Sequence, residues 1–551
     1  MQRRHFLPLL CGSLAAAAEK AAPVRYDVVV YGGTAGGLAA AMSAAKEGAS
    51  VLVLEPSNHV GGMVTGGLGR TDIGIGESIG GMAAEFYRRV KLHYDKPESW
   101  KLATQNREDY LAQQPRCVLE DKWWFHEPSV ASAIFSQMLS EQRVQVLRGR
   151  PLKRLRKQGA RIQAITLSDE SEVEGRVFID ATYEGDLLAL AGVHYRVGRE
   201  STQEYGEKFA GVLPREICTR KQWDVDVSPF GDDGKLLFGV QDTPRGEDGA
   251  GDKKVQAYNY RICLTDAPEN VVPIEPPEGY NPRWYDLLAR YMAVRGDLPL
   301  IKPSKGWGVL NVGRLPNRKT DINDGGPFST DCIGMNWNYP DGTDEQRRTI
   351  LQRHLDFTKG LLYFCAQDSR VPAAVRKEML RWGYPRDEFS ASGHFTPQLY
   401  VREARRMVGD YVMTSHDIEL NRTKTDSIGL GSYGADSHLV QRIADDKFVR
   451  NEGNPNDFTP GHRVYEIPYR AITPKQAECD NLLVTFCVSA SHMAFASVRM
   501  EPVFMILSES AGIAAHLAAK EDLPVQQTPY ARILPKLRQR RQILSIEDVE
   551  S

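Results

Sequence analysis

The sequence predicts an α/β fold, a parallel sheet wound with helices and split by an inserted lobe of mixed α and β structure. Three observations predict it. Residues Tyr26 to Glu55 read as strand, glycine turn, helix and second strand. A strand pattern followed by a glycine- and alanine-rich helix returns late, between Asn481 and Ala519. From Glu200 to Ala471, polar segments rich in proline and glycine alternate with short strand candidates such as Val255 to Leu264.

The first unit is the most informative. Asp27 to Tyr31 is short, β-branched and nearly all apolar, as a strand buried on both faces must be. Gly32, Gly33, Gly36 and Gly37 then make a tight turn, and Leu38, Ala41, Met42 and Ala45 follow at helical spacing until Gly48 supplies the C-cap. Val51 to Leu54 is the second strand, and Glu55 ends it. Such a turn offers backbone N–H groups and a positive helix end to a pyrophosphate, with an acid about twenty residues on for a ribose 2′-hydroxyl. Thr34 stands where the middle glycine of G-x-G-x-x-G belongs, so either the turn sits differently or the Thr34 hydroxyl bonds a phosphate. An acid instead of a base at Glu55 favours FAD or NAD over NADP. The candidate contacts here are Gly32, Gly33, Thr34, Ala35, Gly37, Glu55 and Pro56.

At 551 residues the chain has room for two or three domains, or one large domain with an inserted lobe. Its 69 basic and 71 acidic residues nearly cancel, which predicts no electrostatic pull towards nucleic acid or anionic membrane. Arg3 and Arg4 precede an uncharged apolar stretch, Leu7 to Ala18. Residues 1–22 are read as a signal peptide resembling the twin-arginine export type, which carries folded proteins to a periplasmic or extracellular destination. The stretch is too short to span a bilayer, so stable membrane insertion is not expected. Of the eight cysteines, Cys11 lies in this leader and the others are scattered without C-x-x-C spacing, which predicts buried free thiols and no metal site.

After Glu55, the run Pro56 to Gly67 carries two glycine pairs, Gly61-Gly62 and Gly66-Gly67, which let the chain pass close to a flat object or another backbone. Gly66 to Gly81 is read as a loop and Met82 to Tyr94 as a helix. Trp123 to Phe125 is an aromatic patch ahead of a helix marked by Val130, Ile134 and Leu139. Val144 to Leu147, with Val146 in it, and Ile162 to Leu167 are strand candidates around a basic hairpin tip, Lys153 to Lys157. Val177 to Leu188, VFIDATYEGDLL, is a strand, small residues and an acid before a helix. Two helical patterns follow, Asp344 to Phe364 and Val371 to Trp382. A second G-x-G-x-x-G at Gly429, Gly431 and Gly434 has neither the apolar strand before it nor the helix after it, and is rejected as a nucleotide site. Asn481 to Val488 is a strand, Ser489 to Met500 a small-residue loop, and Pro502 opens a long helix. From Pro529 on, a basic amphipathic tail reads as a solvated surface helix.

In this order the glycine turn, Gly61-Gly62-Met63 and Asp180-Ala181-Thr182 resemble the three signatures of the glutathione-reductase-like FAD superfamily. With the closing run Ser491 to Pro502 added, the chain resembles bacterial FAD-dependent oxidoreductases, some of which carry the label "xanthan lyase related". The resemblance implies a Rossmann-like FAD-binding domain split by a substrate domain: residues 23–200 and 471–525 for the first, 201–470 for the second, 526–551 as tail. It implies FAD as cofactor, with Gly61, Gly62, Met63, Val146, Ala181, Thr182, Gly185, Asp186 and Pro502 beside it; it raises covalent flavin attachment at His59, where a plain loop histidine is the preferred reading. The helix opened by Pro502 would aim its positive end at the flavin pyrimidine.

Flavin-dependent oxidation needs a donor, a base for the accompanying proton and positive charge for developing anions. His492, ahead of the closing helix, is the first candidate base. Arg499 is the cation and Glu501 its expected ion partner. Tyr433, Asp436 and His438 follow, then His394 and Arg402. The expected activity is that of an exported dehydrogenase or oxidase acting on a small polar or sugar-like donor, with an unidentified electron acceptor. A lyase-like use of flavin on polysaccharide fragments and a non-catalytic nucleotide-retaining protein stay open.

Overall fold

The computed structural model describes residues 25–102, 105–445, 447–455 and 463–550. The stretch read as a signal peptide, residues 1–22, lies outside the described residues. The main sheet contains β1 (Arg25–Tyr31), β2 (Val51–Glu55), β3 (Gln145–Arg148), β4 (Leu152–Gln158), β5 (Arg161–Leu167), β6 (Glu172–Asp180) and β7 (Leu482–Val484). β3, β2, β1 and β6 run parallel in that order, with Val28 opposite both Val51 and Val177. β6 is long enough to serve two neighbours on one side. Its first half pairs antiparallel with β5, and its last residues pair parallel with β7, Leu482 opposite Phe178. A strand from the end of the chain thus completes a sheet begun at its start.

Helix α1 (Ala35–Lys46) lies beneath this sheet against α3 (Glu501–Glu521), and small residues decide how closely. A Cβ on Gly512 would stand 2.3 Å from the Ala40 carbonyl oxygen. By length and mean hydropathy, 1.3, α3 is apolar enough to cross a membrane, but 94 % of that window is buried inside the fold. It is a core helix, hydrophobic all round.

The stretch Lys153 to Lys157 is not a hairpin tip. It lies inside β4, antiparallel to β5, and the turn comes at Gly159, whose φ of 58° suits it. The basic side chains stand on the exposed face, where Lys153 and Arg154 meet Glu170 and Arg156 meets Glu172 and Glu174. Ser489 to Met500 is not all loop either. Ser491 caps a short helix, α2 (His492–Val498), its hydroxyl accepting the Ala494 N–H at 3.1 Å. The aromatic patch at Trp123 and Trp124 is fully buried in the core.

Residues 201–470 form small two-stranded sheets, among them Leu310–Leu315 with Lys319–Asp324 and Gln441–Asp445 with Phe448–Glu452. The helix Asp344–Gln367 is set by a capping box between Thr343 and Gln346. Gly429 and Gly431 lie within the strand Ser427–Gly431. The tail helix, Tyr530–Gln539, buries Ile533 and Leu537, and Lys536 and Arg540 pair with Glu47 at the end of α1.

Candidate cofactor cavity and catalytic cluster

The glycine turn is held by its own acid. Glu55 accepts the Gly33 N–H at 2.7 Å through Oε2 and the Ser57 N–H at 2.7 Å through Oε1. Thr34 is the N-cap of α1: its hydroxyl accepts the Gly37 N–H at 3.0 Å and donates to the Ala181 carbonyl at 2.8 Å. The one proton of that hydroxyl is spent on Ala181, which leaves backbone N–H groups as the turn's donors for a phosphate. The second glycine pair docks directly, Gly61 N–H donating to the Gly33 carbonyl at 2.7 Å. Tyr183 bridges the next peptide to the end of the chain: its hydroxyl accepts the Met63 N–H at 2.9 Å and donates to Glu501 at 2.6 Å.

Between these parts and the middle of the chain lies a cavity of about 570 Å³. Of the residues expected at a cofactor, Gly32, Thr34, Glu55, Pro56, Gly62 and Thr182 line it. Gly33, Ala35, Gly37, Gly61, Met63 and Ala181 shape the turn behind them without lining it. Val146 pairs with Val53 in the sheet, and Pro502 sits in the first turn of α3. Gly185 takes the left-handed conformation that starts the next short helix. Asp186 turns from the cavity to Arg347, at 2.8 and 2.9 Å, and to Arg405 at 2.7 Å, fastening the middle of the chain to the sheet.

The sequence reading missed Tyr183 and Glu184, although both stand beside Thr182 in the singled-out segment, and missed the opposite wall, Tyr339, Phe389, Gln398, Leu399 and Val401. His59 lines the cavity, with Nε2 at the Gly62 carbonyl and the Thr65 hydroxyl of its own loop. The residues present fit FAD. The glycines leave no Cβ in the turn, the start of α1 faces the cavity, and Glu55 stands at its wall. Glu501, buried at the start of α3, has Oε2 without a hydrogen-bond partner.

The catalytic candidates gather around α2. His492 is 2 % exposed. Its Nδ1 lies 2.7 and 3.0 Å from the two oxygens of Glu403, and its backbone N–H donates to Glu200 at 2.9 Å. Burial by itself would raise the Glu403 pKa, but the facing His492 ring and the Arg406 guanidinium bring it down to about 2, so Glu403 is a carboxylate.

At the other end of α2, Arg499 does not pair with Glu501. It donates to the Tyr400 hydroxyl at 2.8 Å and meets Asp436 at 3.0 Å, while Glu501 accepts a hydrogen bond from the Tyr183 hydroxyl instead. Asp436 also faces His438 Nε2 at 3.2 Å, and His438 Nδ1 faces Asp331 at 2.8 Å. Tyr433 donates to Asp72 at 3.1 Å. Gln256 joins the two ends, donating to Glu403 at 2.9 Å and accepting the His438 backbone N–H at 2.9 Å. Arg402 belongs to the His438 group through Asp331, at 2.9 Å. His394 does not join: its Nδ1 meets the Glu388 carbonyl on an outer loop. Asp324, Asp331 and His438 have ligand atoms within 4.8 Å of one another, but Lys221 on Asp324 and Arg402 on Asp331 already stand as the cations there.

No curated protein matches the chain. Among solved structures it is similar to OxyS anhydrotetracycline hydroxylase from Streptomyces rimosus (16 % identity over 37 % of this chain and 42 % of that one, TM-score 0.22). It is also similar to THI4 of Thermovibrio ammonificans (17 %, 32 % and 66 %, 0.21) and to a 3-ketosteroid-delta4-(5alpha)-dehydrogenase from Rhodococcus jostii RHA1 (14 %, 32 % and 50 %, 0.19). Each match spans less than two thirds of the other protein. The sequence profile of the FAD dependent oxidoreductases matches residues 27–538, from the first strand to the tail helix. The chain is a flavoenzyme of α/β fold and belongs to the FAD dependent oxidoreductase family.

Proposed function

We propose that this oxidoreductase is an exported dehydrogenase or oxidase that takes a hydride from a small polar, hydroxylated donor, with His492 as the base. One observation carries the reading. His492 is held by Glu403 through Nδ1, and its Nε2 makes no hydrogen bond among the described residues. A carboxylate at Nδ1 keeps the ring proton on that nitrogen and leaves the Nε2 lone pair free to accept another. Bound FAD supplies the two-electron acceptor. As the donor carbon gives up a hydride, the donor O–H proton would pass to Nε2, and Glu403 would steady the imidazolium so formed. Arg499, fixed by Asp436 and Tyr400, supplies positive charge at the far end of the same short helix for developing anionic oxygen. The arginine pair and apolar run of the first 18 residues support export.

The test is an anaerobic donor screen by flavin bleaching, repeated with His492→Gln. A donor that bleaches the wild type and reduces the variant about 100-fold more slowly or worse, with the yellow colour kept, is the expected result. A variant that bleaches at the wild-type rate removes His492 from the chemistry.

A further inference from the structure

The cavity that fits FAD is short of positive charge. Among its described lining residues are the carboxyl groups of Glu55 and Glu184 and the imidazole of His59, but no lysine or arginine. A dinucleotide brings a doubly charged diphosphate into this space. Backbone N–H groups and the start of α1 meet part of that charge.

The two acids are placed differently. Glu55 has a backbone N–H on each oxygen, which favours its carboxylate against the burial that raises its pKa. Glu184 takes a hydrogen bond from the Tyr339 hydroxyl at 3.1 Å, and the only backbone N–H beside its carboxyl is its own. Two residues on in the same turn, Asp186 is held charged by Arg347 and Arg405 and adds negative field. Those arginines do not neutralise Glu184. Arg347 donates to Asp186 and stacks over the Tyr339 ring at 5.2 Å, and Arg405 donates to the Glu184 backbone carbonyl at 3.1 Å and not to its carboxyl. The remaining titratable neighbours are Tyr258, whose hydroxyl is spent on the Glu403 carbonyl, and the thiol of Cys487, pushed up by burial.

We infer that Glu184 is a cofactor-binding residue that must be a neutral acid when FAD is bound, so that the cofactor and one proton are held together. As an acid it offers an O–H to the ligand in place of a second negative charge beside the diphosphate. The surroundings of Glu184 already favour this state: burial first and Asp186 second, opposed by Arg347 and Tyr339, raise the Glu184 pKa to about 7. Below that pH the proton is in place. Above it, binding must draw a proton from water, and the dissociation constant rises about tenfold per pH unit. This rests on the family's cofactor and not on the donor or on His492.

The experiment dilutes the yellow holoprotein at pH 6 to pH 9 and reads released FAD by its fluorescence. In the wild type the dissociation constant is level up to pH 7 and climbs beyond it. In Glu184→Gln, of the same shape and always uncharged, it stays level, equal to the wild type at pH 6 and at least about tenfold tighter at pH 9. Tyr339→Phe removes the donor that favours the charged form, so the climb begins at higher pH. A wild-type constant that is level to pH 9, a climb that persists in Glu184→Gln, or an onset unmoved in Tyr339→Phe overturns the inference.

Discussion

Glu501 shows how one side chain can join two ends of the chain at an electrostatic cost. It is the first residue of α3, where a carboxylate would normally gain from the helix dipole. Burial wins: its pKa is raised to about 7, against the pull of the Tyr183 hydroxyl. An acid whose folded pKa lies above its unfolded value adds stability that is complete below the unfolded value, near 4.5, and is lost as pH rises through about 7. The term amounts to about 3 kcal/mol. Glu501→Gln carries no such term. Its thermal midpoint should match the wild type near pH 5 and exceed it near pH 8.5 in paired melts, and a wild-type lead that widens with pH would refute this account. Glu403 has the opposite sign: its pKa is lowered to about 2, so the stability it adds is complete above the unfolded value near 4.5 and is lost as pH falls from there through about 2.

Among elements, the contact of α1 with α3 decides whether the sheet's two distant parts meet. Two effects compete at Gly512. A glycine to alanine change inside a helix gains about 1 kcal/mol of propensity. The added Cβ would stand 2.3 Å from the Ala40 carbonyl and 2.7 Å from the Ser43 Cβ, and overpacking of this kind costs about 1–3 kcal/mol. Backbone cannot swing aside as a long side chain can, so Gly512→Ala should destabilise, with a lower urea midpoint at unchanged slope; a raised midpoint would mean that α3 shifts freely. Much of this architecture was legible in the sequence because it is local. The glycine turn, Glu55, the D-A-T segment and the small-residue closing helix each carry their pattern within a few residues. The cluster of candidate residues around α2 was legible only in part. His492 and Arg499 stand in one singled-out run, but Glu403 lies 89 positions from His492, and Gln256 reaches across 182 positions to His438. Such pairings leave no periodicity to read. The short helix α2 was missed because it is buried on every side and so lacks a polar face.

For the whole molecule, the cysteines connect folding to the proposed export. Cys117, Cys218, Cys263, Cys332, Cys365, Cys479 and Cys487 are all free and buried. Burial raises every one of these thiols, Cys218 and Cys479 to about 11 and Cys117 and Cys365 to about 12, so almost no reactive thiolate exists near neutral pH. The folded chain is inert to an oxidising compartment. The unfolded chain exposes the same thiols with ordinary reactivity and no native disulfide to guide their pairing, so oxidation competes with folding. A route that exports the chain already folded avoids this hazard, and cofactor loading before export favours the same order. A thiol reagent should therefore label none of the seven in the native mature protein and all of them in denaturant. Refolding under an oxidising glutathione buffer should yield less yellow protein than refolding with dithiothreitol, whereas the native protein should keep its melting temperature in either. Rapid labelling of the native protein, or equal refolding yields in the two buffers, would remove thiol protection as a reason for exporting a folded chain.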